Sequence, residues 1–361
     1  MGRLGVSIYP EHSTMEKDMA YLTLAAKYGC KRVFTCLLSV GEKTKEEIKA
    51  EFMTLIDHAH SLGMEVILDV APFVFKNLGA SYSDLSFFKE IHADGIRLDE
   101  GFDGLKEALM TCNKEGLMIE INASFGNGYI ANIMSHHPNC DNLITCHNFY
   151  PQRYTGLSLK HFSHCNESIK QFNLKIAAFV SSQTENTYGP WPVNEGLCSL
   201  EMHRDLAIDV QARHLFELGV DDVIVANCYA SEEELKALSA LKPGILQFKI
   251  DFEKELQASE YKIIYEHDHF VRGDMSEYMA RSTFPRVTYA NETVEAENTR
   301  DLKRGDVIII NDNYARYKGE LHIVLKDMPN DGRKNVVGRI PEEEMMLLEY
   351  IEPWKPFIFI K

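Results

Sequence analysis

Tryptophan is scarce, with only 2 in 361 residues, and the chain has neither an excess of positive charge nor a paired-cysteine motif. No apolar run approaches the roughly 20 residues needed to span a bilayer, so a membrane anchor is not expected. The opening MGRLGVSIYP lacks the apolar core and cleavage site of a secretory signal. Val6 stands where a myristoylation signal carries Ser or Thr. The formal net charge of −16 argues against a nucleic-acid partner, because phosphate backbones are bound by basic faces. The 8 cysteines (Cys30, Cys36, Cys112, Cys140, Cys146, Cys165, Cys198 and Cys228) form no CxxC pair, and most lie in apolar runs. That usage predicts reduced thiols in a cytoplasmic protein, not a disulfide framework.

What is present is a regular alternation. Runs rich in β-formers occupy 5–10, 32–38, 65–70, 95–100, 118–124, 142–150, 175–182 and 222–229. Helical patterns follow, among them 15–28, 45–62, 105–112, 159–172, 204–218 and 232–241. Gly29, Gly63, Gly116 and Gly219 stand where helix C-caps belong. Eight strands alternating with helices over about 240 residues predict an α/β fold, a (β/α)8 TIM barrel. A doubly wound sheet would carry a Gly-rich phosphate loop after its first strand, where this chain has YPEHST. At Lys242-Pro243-Gly244 the pattern changes. The domains are therefore drawn at 1–242, the barrel, and 243–361, a small all-β domain expected to close as a barrel. Its strands are predicted at 261–265, 307–310, 321–325, 336–340 and 356–360, with one helix at 342–348.

Chemistry in such barrels sits at the C-terminal ends of the strands. The most informative end is in ADGIRLDEGFDG, residues 93–104. Strand alternation puts Arg97 and Asp99 on one face, and Ile96 and Leu98 on the other. An inward charged pair is costly unless it plugs the barrel or serves a ligand. Other strand ends carry Tyr9, Glu11 and His12, then Asp69, then Glu120, Asn122 and Ser124. Further on come His147, Asn148 and Tyr150, then Ser182, Gln183 and Glu185, and finally Asn227 and Tyr229. Polar ends on most strands suit a polyhydroxylated ligand, because each hydroxyl needs a partner.

Carboxyls on neighbouring strands, about 4.8 Å apart at the backbone, can reach the roughly 5–5.5 Å spacing of a retaining glycosidase. Asp99 is the candidate nucleophile or charge stabiliser, and Glu120 the candidate acid/base. Glu185 or Glu11 takes the acid role if Glu120 sits too deep. Glu11, Asp69, Arg97, Asn122, His147, Asn148, Tyr150, Gln183, Glu185 and Asn227 are expected to bind substrate. The long connection 183–202 offers the flat faces of Tyr188 and Trp191 to a sugar ring, or packs them as structure. No lysine ends a strand, so nothing supplies the amine of a Schiff-base aldolase. His161, His164 and Cys165 lack a fourth zinc ligand. Two rivals to a glycosidase stay open. One is a metal-dependent sugar isomerase or lyase built on Asp69, Glu120 and His147; the other is a non-catalytic sugar-phosphate-binding protein.

GVSIYPEHS at the start, GIRLDEGF on the fourth strand, HNFYPQRYTGLS on the sixth and GDVIIINDNYARYKGEL near the end carry a resemblance. In combination, and over essentially the whole chain, they resemble the bacterial 6-phospho-N-acetylmuramidases. The resemblance implies a barrel followed by a cyclophilin-like β domain. It implies hydrolysis of the bond between 6-phospho-N-acetylmuramic acid and N-acetylglucosamine in peptidoglycan recycling; independently of it, the glycosidase is expected to use no metal or cofactor. It carries over no catalytic pair. GIRLD is also similar to the nucleophile strand of α-amylase-type barrels, by analogy of fold alone. The implied substrate's phosphate and lactyl carboxylate would give a use to Arg281, Arg286 and Arg316, since guanidinium forks bind such groups bidentately. They would serve the barrel mouth of the same chain or, in a homodimer, of a neighbouring subunit; otherwise they bridge the domains.

Overall fold

In the computed structural model, which describes residues 2–37, 44–193 and 195–361, the first eight strands pair in sequence order until the eighth meets the first. They are β1 (Arg3–Ile8), β2 (Arg32–Cys36), β3 (Glu65–Val70), β4 (Gly95–Leu98), β5 (Met118–Asn122), β6 (Leu143–Cys146), β7 (Ile176–Val180) and β8 (Asp222–Val225). All pairings are parallel, so this is the closed (β/α)8 barrel expected. Leu38, the last residue of the predicted second strand, lies outside the described residues. The surrounding helices are α1 (Met15–Lys27), α2 (Lys45–Ser61), α3 (Pro72–Leu78), α4 (Ser86–Glu90), α5 (Leu105–Thr111), α6 (Tyr129–Ser135), α7 (Leu159–Lys170), α8 (Ile208–Glu217) and α9 (Glu232–Ser239). Thr14, Thr44, Ser158 and Ser231 cap α1, α2, α7 and α9 by accepting an amide hydrogen bond. Each satisfies a backbone donor that the first helical turn leaves unpaired.

The barrel interior is layered. Its floor is charged: Arg3 and Arg32 both reach Asp222, with Nη2 of Arg3 at 2.7 Å and Nη1 of Arg32 at 3.0 Å. Arg32 also pairs with Glu120, and both are buried almost completely. Arg32, Glu120 and Asp222 are thus paired where solvent is excluded, while partly exposed Arg3 also holds Glu65 at 2.8 Å. Above the floor Tyr9, Phe34, Phe179, Ile224 and Ala226 form an apolar layer with Cys36 and Cys146. Gly95 is needed on β4 because a Cβ there would lie 2.7 Å from both Ile67 Cδ1 and the Met118 carbonyl oxygen.

The second unit, Lys242–Lys361, follows different rules. It contains β9 (Leu246–Phe248), β10 (Asp251–Phe252), α10 (Ala258–Tyr265), β11 (His269–Phe270), β12 (Met279–Ser282) and α11 (Pro285–Thr288). Then come β13 (Asp306–Ile310), β14 (Leu321–Val324), β15 (Lys334–Arg339) and β16 (Pro356–Phe359). The strands form an antiparallel five-stranded sheet, β10-β15-β13-β14-β12, and a mixed three-stranded sheet, β11-β16-β9. The ring expected here is thus divided into two sheets. The strand predicted at 261–265 is the end of α10, so the unit is not all-β. A short apolar run reads equally as strand or helix. The overlooked signal is the capping box of Gln257 and Glu260, which starts a helix whose Ile263 and Ile264 enter the core. The predicted helix at 342–348 is a 3-10 helix, Glu342–Tyr350.

Glu120→Ala leaves Arg32 with one carboxylate shared with Arg3, and is expected to lower unfolding stability by about 3–5 kcal/mol. Urea unfolding measures this; an unchanged midpoint would show that the floor pairing contributes nothing.

Candidate active site

The rim is organised by Arg97, whose side chain is 2% exposed. Its Nη1 donates to Asp69 Oδ1 at 2.5 Å and to Asp99 Oδ1 at 3.2 Å. Its Nη2 donates to Asn148 Oδ1, which also accepts from Asn122 Nδ2 at 2.9 Å. Ser124 Oγ accepts the Asn148 amide at 2.8 Å, fixing that side of the cup. β3, β4 and β6 supply Asp69, Arg97 and Asn148 because these positions share the inward parity of their strands.

A cavity of about 260 Å³ opens above this group, lined by Asp69, Arg97, Asp99, Asn148, Tyr150 and Trp191, together with Cys36, Phe149 and Pro190. The two acids differ in surroundings. The Asp99 side chain is 37% exposed and that of Asp69 is 7% exposed. Burial pushes the Asp69 carboxyl up to about 7, Arg97 opposes that rise, and Asp99 and Glu120 add to it. Two oxygens bound to one nitrogen can be no further apart than the sum of the two bond lengths. That limit admits the roughly 5–5.5 Å of retaining glycosidases and falls short of the roughly 6.5–9.5 Å of inverting ones.

Six of the expected residues therefore meet, five of the proposed catalytic and binding set plus Trp191, and others do not. Glu120 is a correction: it pairs with Arg32 on the floor and does not line the cup. Its strand position is one inward step too deep. His147 is another. It faces the helix layer, stacked on Phe162 with Nε2 at 2.8 Å from Asn166 Oδ1. Asn227 also points outward, donating to Thr187 Oγ1 at 2.8 Å, because Ala226 and Cys228 take the inward positions on that segment. Tyr229 follows Asn227 outward and donates to Asp18 at 2.6 Å. Gln183 and Asn227 line a separate polar cleft. Asn122 supports Asn148 from behind, and Glu11 and Glu185 are absent from the cavity wall. Cys36, Phe149 and Arg32 were not foreseen. The parity of Arg32, Phe34 and Cys36 on one strand would have shown all three positions of β2 facing inward.

In the second unit, Arg281 already holds Asp274 at 3.2 Å and Arg286 holds Glu320 at 2.6 Å. Arg316 is exposed. Among the described residues no three His, Cys, Asp or Glu side chains converge as metal ligands, and no helix is long and apolar enough to cross a membrane. Asp69, Glu120 and His147, the metal set considered above, point to three different layers.

A closed parallel barrel with paired carboxyls at the C-terminal ends of its strands has the form of a TIM-barrel glycosidase. The chain belongs to the 6-phospho-N-acetylmuramidase family: the family's N-terminal domain matches residues 4–240 and its C-terminal domain residues 246–360. The crystal structure of an uncharacterized B. cereus protein is 50% identical, covers 100% of both chains and has a TM-score of 0.92. A conserved Enterococcus faecalis protein of unknown function is 24% identical over 100% of this chain and 96% of its own, with a TM-score of 0.73, and shares the fold. No curated protein matches the chain.

Burial holds the imidazoles of His147 and His214 down at about 4, and that of His203 well below its ordinary value. The unfolded chain takes up these protons below about pH 6.5, whereas the folded chain refuses them, so stability falls as pH drops from 6.5 to 4. Asp69 acts in the opposite sense, binding one proton in the folded state between about 4 and 7. Burial also holds His269 at about 4 and lowers His267 and His322, while Asp18 joins Asp69; the histidines outnumber the raised acids, so the urea midpoint at pH 5 is expected below that at pH 7. His147→Gln should flatten that dependence; an unaltered slope would show that His147 is not the buried neutral group described.

Proposed function

We propose that this protein is a glycosidase that hydrolyses the bond between 6-phospho-N-acetylmuramic acid and N-acetylglucosamine, in cytoplasmic peptidoglycan recycling. The observation that carries this reading is the Asp69–Arg97–Asp99 group at the floor of a sugar-sized cup, in a chain that matches both domains of the family. Asp99 is the nucleophile or the group that stabilises positive charge at the anomeric carbon, being the acid more open to the cavity. The substrate's acetamido group is an alternative nucleophile, which Asp99 would then orient. Asn148 and Tyr150 are proposed to hold ring substituents, and Trp191 to stack on a sugar face.

Within the cup Arg97 is the one cation among the described lining residues, and it is occupied by two carboxyls. The phosphate therefore needs another cation; Arg281 and Arg286 are likewise engaged, by Asp274 and Glu320, so of the three expected arginines exposed Arg316 is the proposed candidate. All eight cysteines are free thiols, which suits a reducing compartment. A homodimer is proposed but plays no part in this reading.

Incubation with the phosphorylated disaccharide should release N-acetylglucosamine, seen by mass spectrometry, while the unphosphorylated disaccharide is cut far more slowly. Asp99→Asn should lose about a thousandfold or more in turnover with its circular dichroism unchanged. Near-normal turnover in that variant would remove Asp99 from the mechanism, and absence of cleavage by the unaltered protein would overturn the assignment.

A further inference from the structure

A hydrolase of this kind needs a proton donor for the departing sugar oxygen, and the expected Glu120 is locked to Arg32 beneath the apolar layer. Glu11 and Glu185 do not line the cup. We propose that Asp69 is that donor, and that Arg97 holds it and Asp99 as a working pair. The proposal rests on the glycosidase reading above and extends it to a second residue.

The geometry supports a division of labour. Both carboxyls are bound to a single nitrogen, Arg97 Nη1, so their spacing is fixed by one rigid planar group. Asp69 Oδ1 takes the guanidinium, while Oδ2 has the thiol of Cys36 at 3.9 Å, a weak donor that does little to stabilise charge. A proton on Oδ2 is therefore favoured, on a residue that lines the cavity. The groups bearing on Asp69 are Arg97 and Asp99 from the β4 end, Cys36 from β2, Glu120 from β5, Cys146 from β6 and Tyr9 beyond β1. Of these, Arg97 alone is a cation; burial and the two acids favour the protonated carboxyl, and the neutral thiols and phenol bring no charge to oppose them.

In the first step an Asp99 oxygen bonds to the anomeric carbon as the glycosidic C–O bond breaks. The Asp69 proton passes to the leaving oxygen, so the second sugar departs as a neutral alcohol. In the second step the Asp69 carboxylate takes a proton from water, whose oxygen attacks the anomeric carbon and releases Asp99. Asp69 is then protonated again, and one water has been consumed.

The test compares the phosphorylated disaccharide with the 4-nitrophenyl glycoside of 6-phospho-N-acetylmuramic acid, whose leaving group departs without protonation. Asp69→Asn should slow cleavage of the disaccharide by about 10²–10⁴-fold. It should spare bond cleavage in the nitrophenyl glycoside, leaving a burst of nitrophenol, and should abolish the alkaline limb of the pH profile. Asp99→Asn should lose both substrates alike. Equal losses on both substrates in Asp69→Asn, or a retained alkaline limb, would overturn the donor role while leaving the glycosidase reading intact.

A second measurement needs no substrate. Carbon-13 spectra of the aspartate-labelled protein should contain one carboxyl titrating near pH 7, which moves lower in Asp99→Asn and vanishes in Asp69→Asn. If every aspartate titrates below pH 5, the proposal fails whether or not the sugar is cut. An unaltered protein that cleaves neither compound defeats the glycosidase reading and the donor role together.

Discussion

One buried guanidinium governs the functional end of this barrel. Arg97 is removed from solvent, yet it contacts two carboxyls and an amide oxygen. A cation in that setting cannot be left unpaired, so Asp69, Asp99 and Asn148 are drawn to it from the ends of β3, β4 and β6. The same demand organises the floor, where Arg32 gathers Glu120 and Asp222. The two arginine centres are separated by an apolar layer that includes Phe34 and Phe179. Structural charge and rim charge thus sit at different depths of one cylinder, although Glu120 is the register partner of Arg97 and still raises Asp69.

That separation explains why chemically identical groups have different fates. Glu120 and Asp99 are both carboxyls on inward positions of adjacent strands. Glu120 lies within the ladder, register-paired beside Arg97, and is sealed. Asp99 lies just past the end of β4 and meets the cavity. A displacement along the barrel axis thus separates a sealed carboxylate from one that meets the cavity. Asp69 is intermediate: it touches the cavity, but the Cys36 side and the closed strand pairing deny it water.

The asymmetry of the cup also bears on substrate preference. Its wall combines Tyr150, Phe149, Pro190 and Trp191 with the polar group around Arg97. Such a mixture provides flat apolar faces for one side of a sugar and directional partners for the other. It provides little free positive charge, because Arg97 is already engaged by Asp69 and Asp99. An anionic substituent, as in the proposed substrate, would call for a cation besides Arg97 and the other described residues of this wall.

The sequence by itself determined the alternation of eight strands with helices, the change of pattern near Lys242, and the inward parity of Asp69, Arg97 and Asp99. These follow from local periodicity, which each segment carries without help from the rest. Only the tertiary structure decided depth and outward parity. Glu120 went to the floor because Arg32, far away in the chain, closes over it. His147 and Asn227 turned to the helix side because Cys146, Ala226 and Cys228 fill the barrel's apolar interior. In the second unit, the segment at Ile263 and Ile264 became helix rather than strand where its apolar face met the sheets. Which end of a strand stays open, and which neighbour covers it, depends on contacts between residues distant in sequence, and no local pattern encodes them.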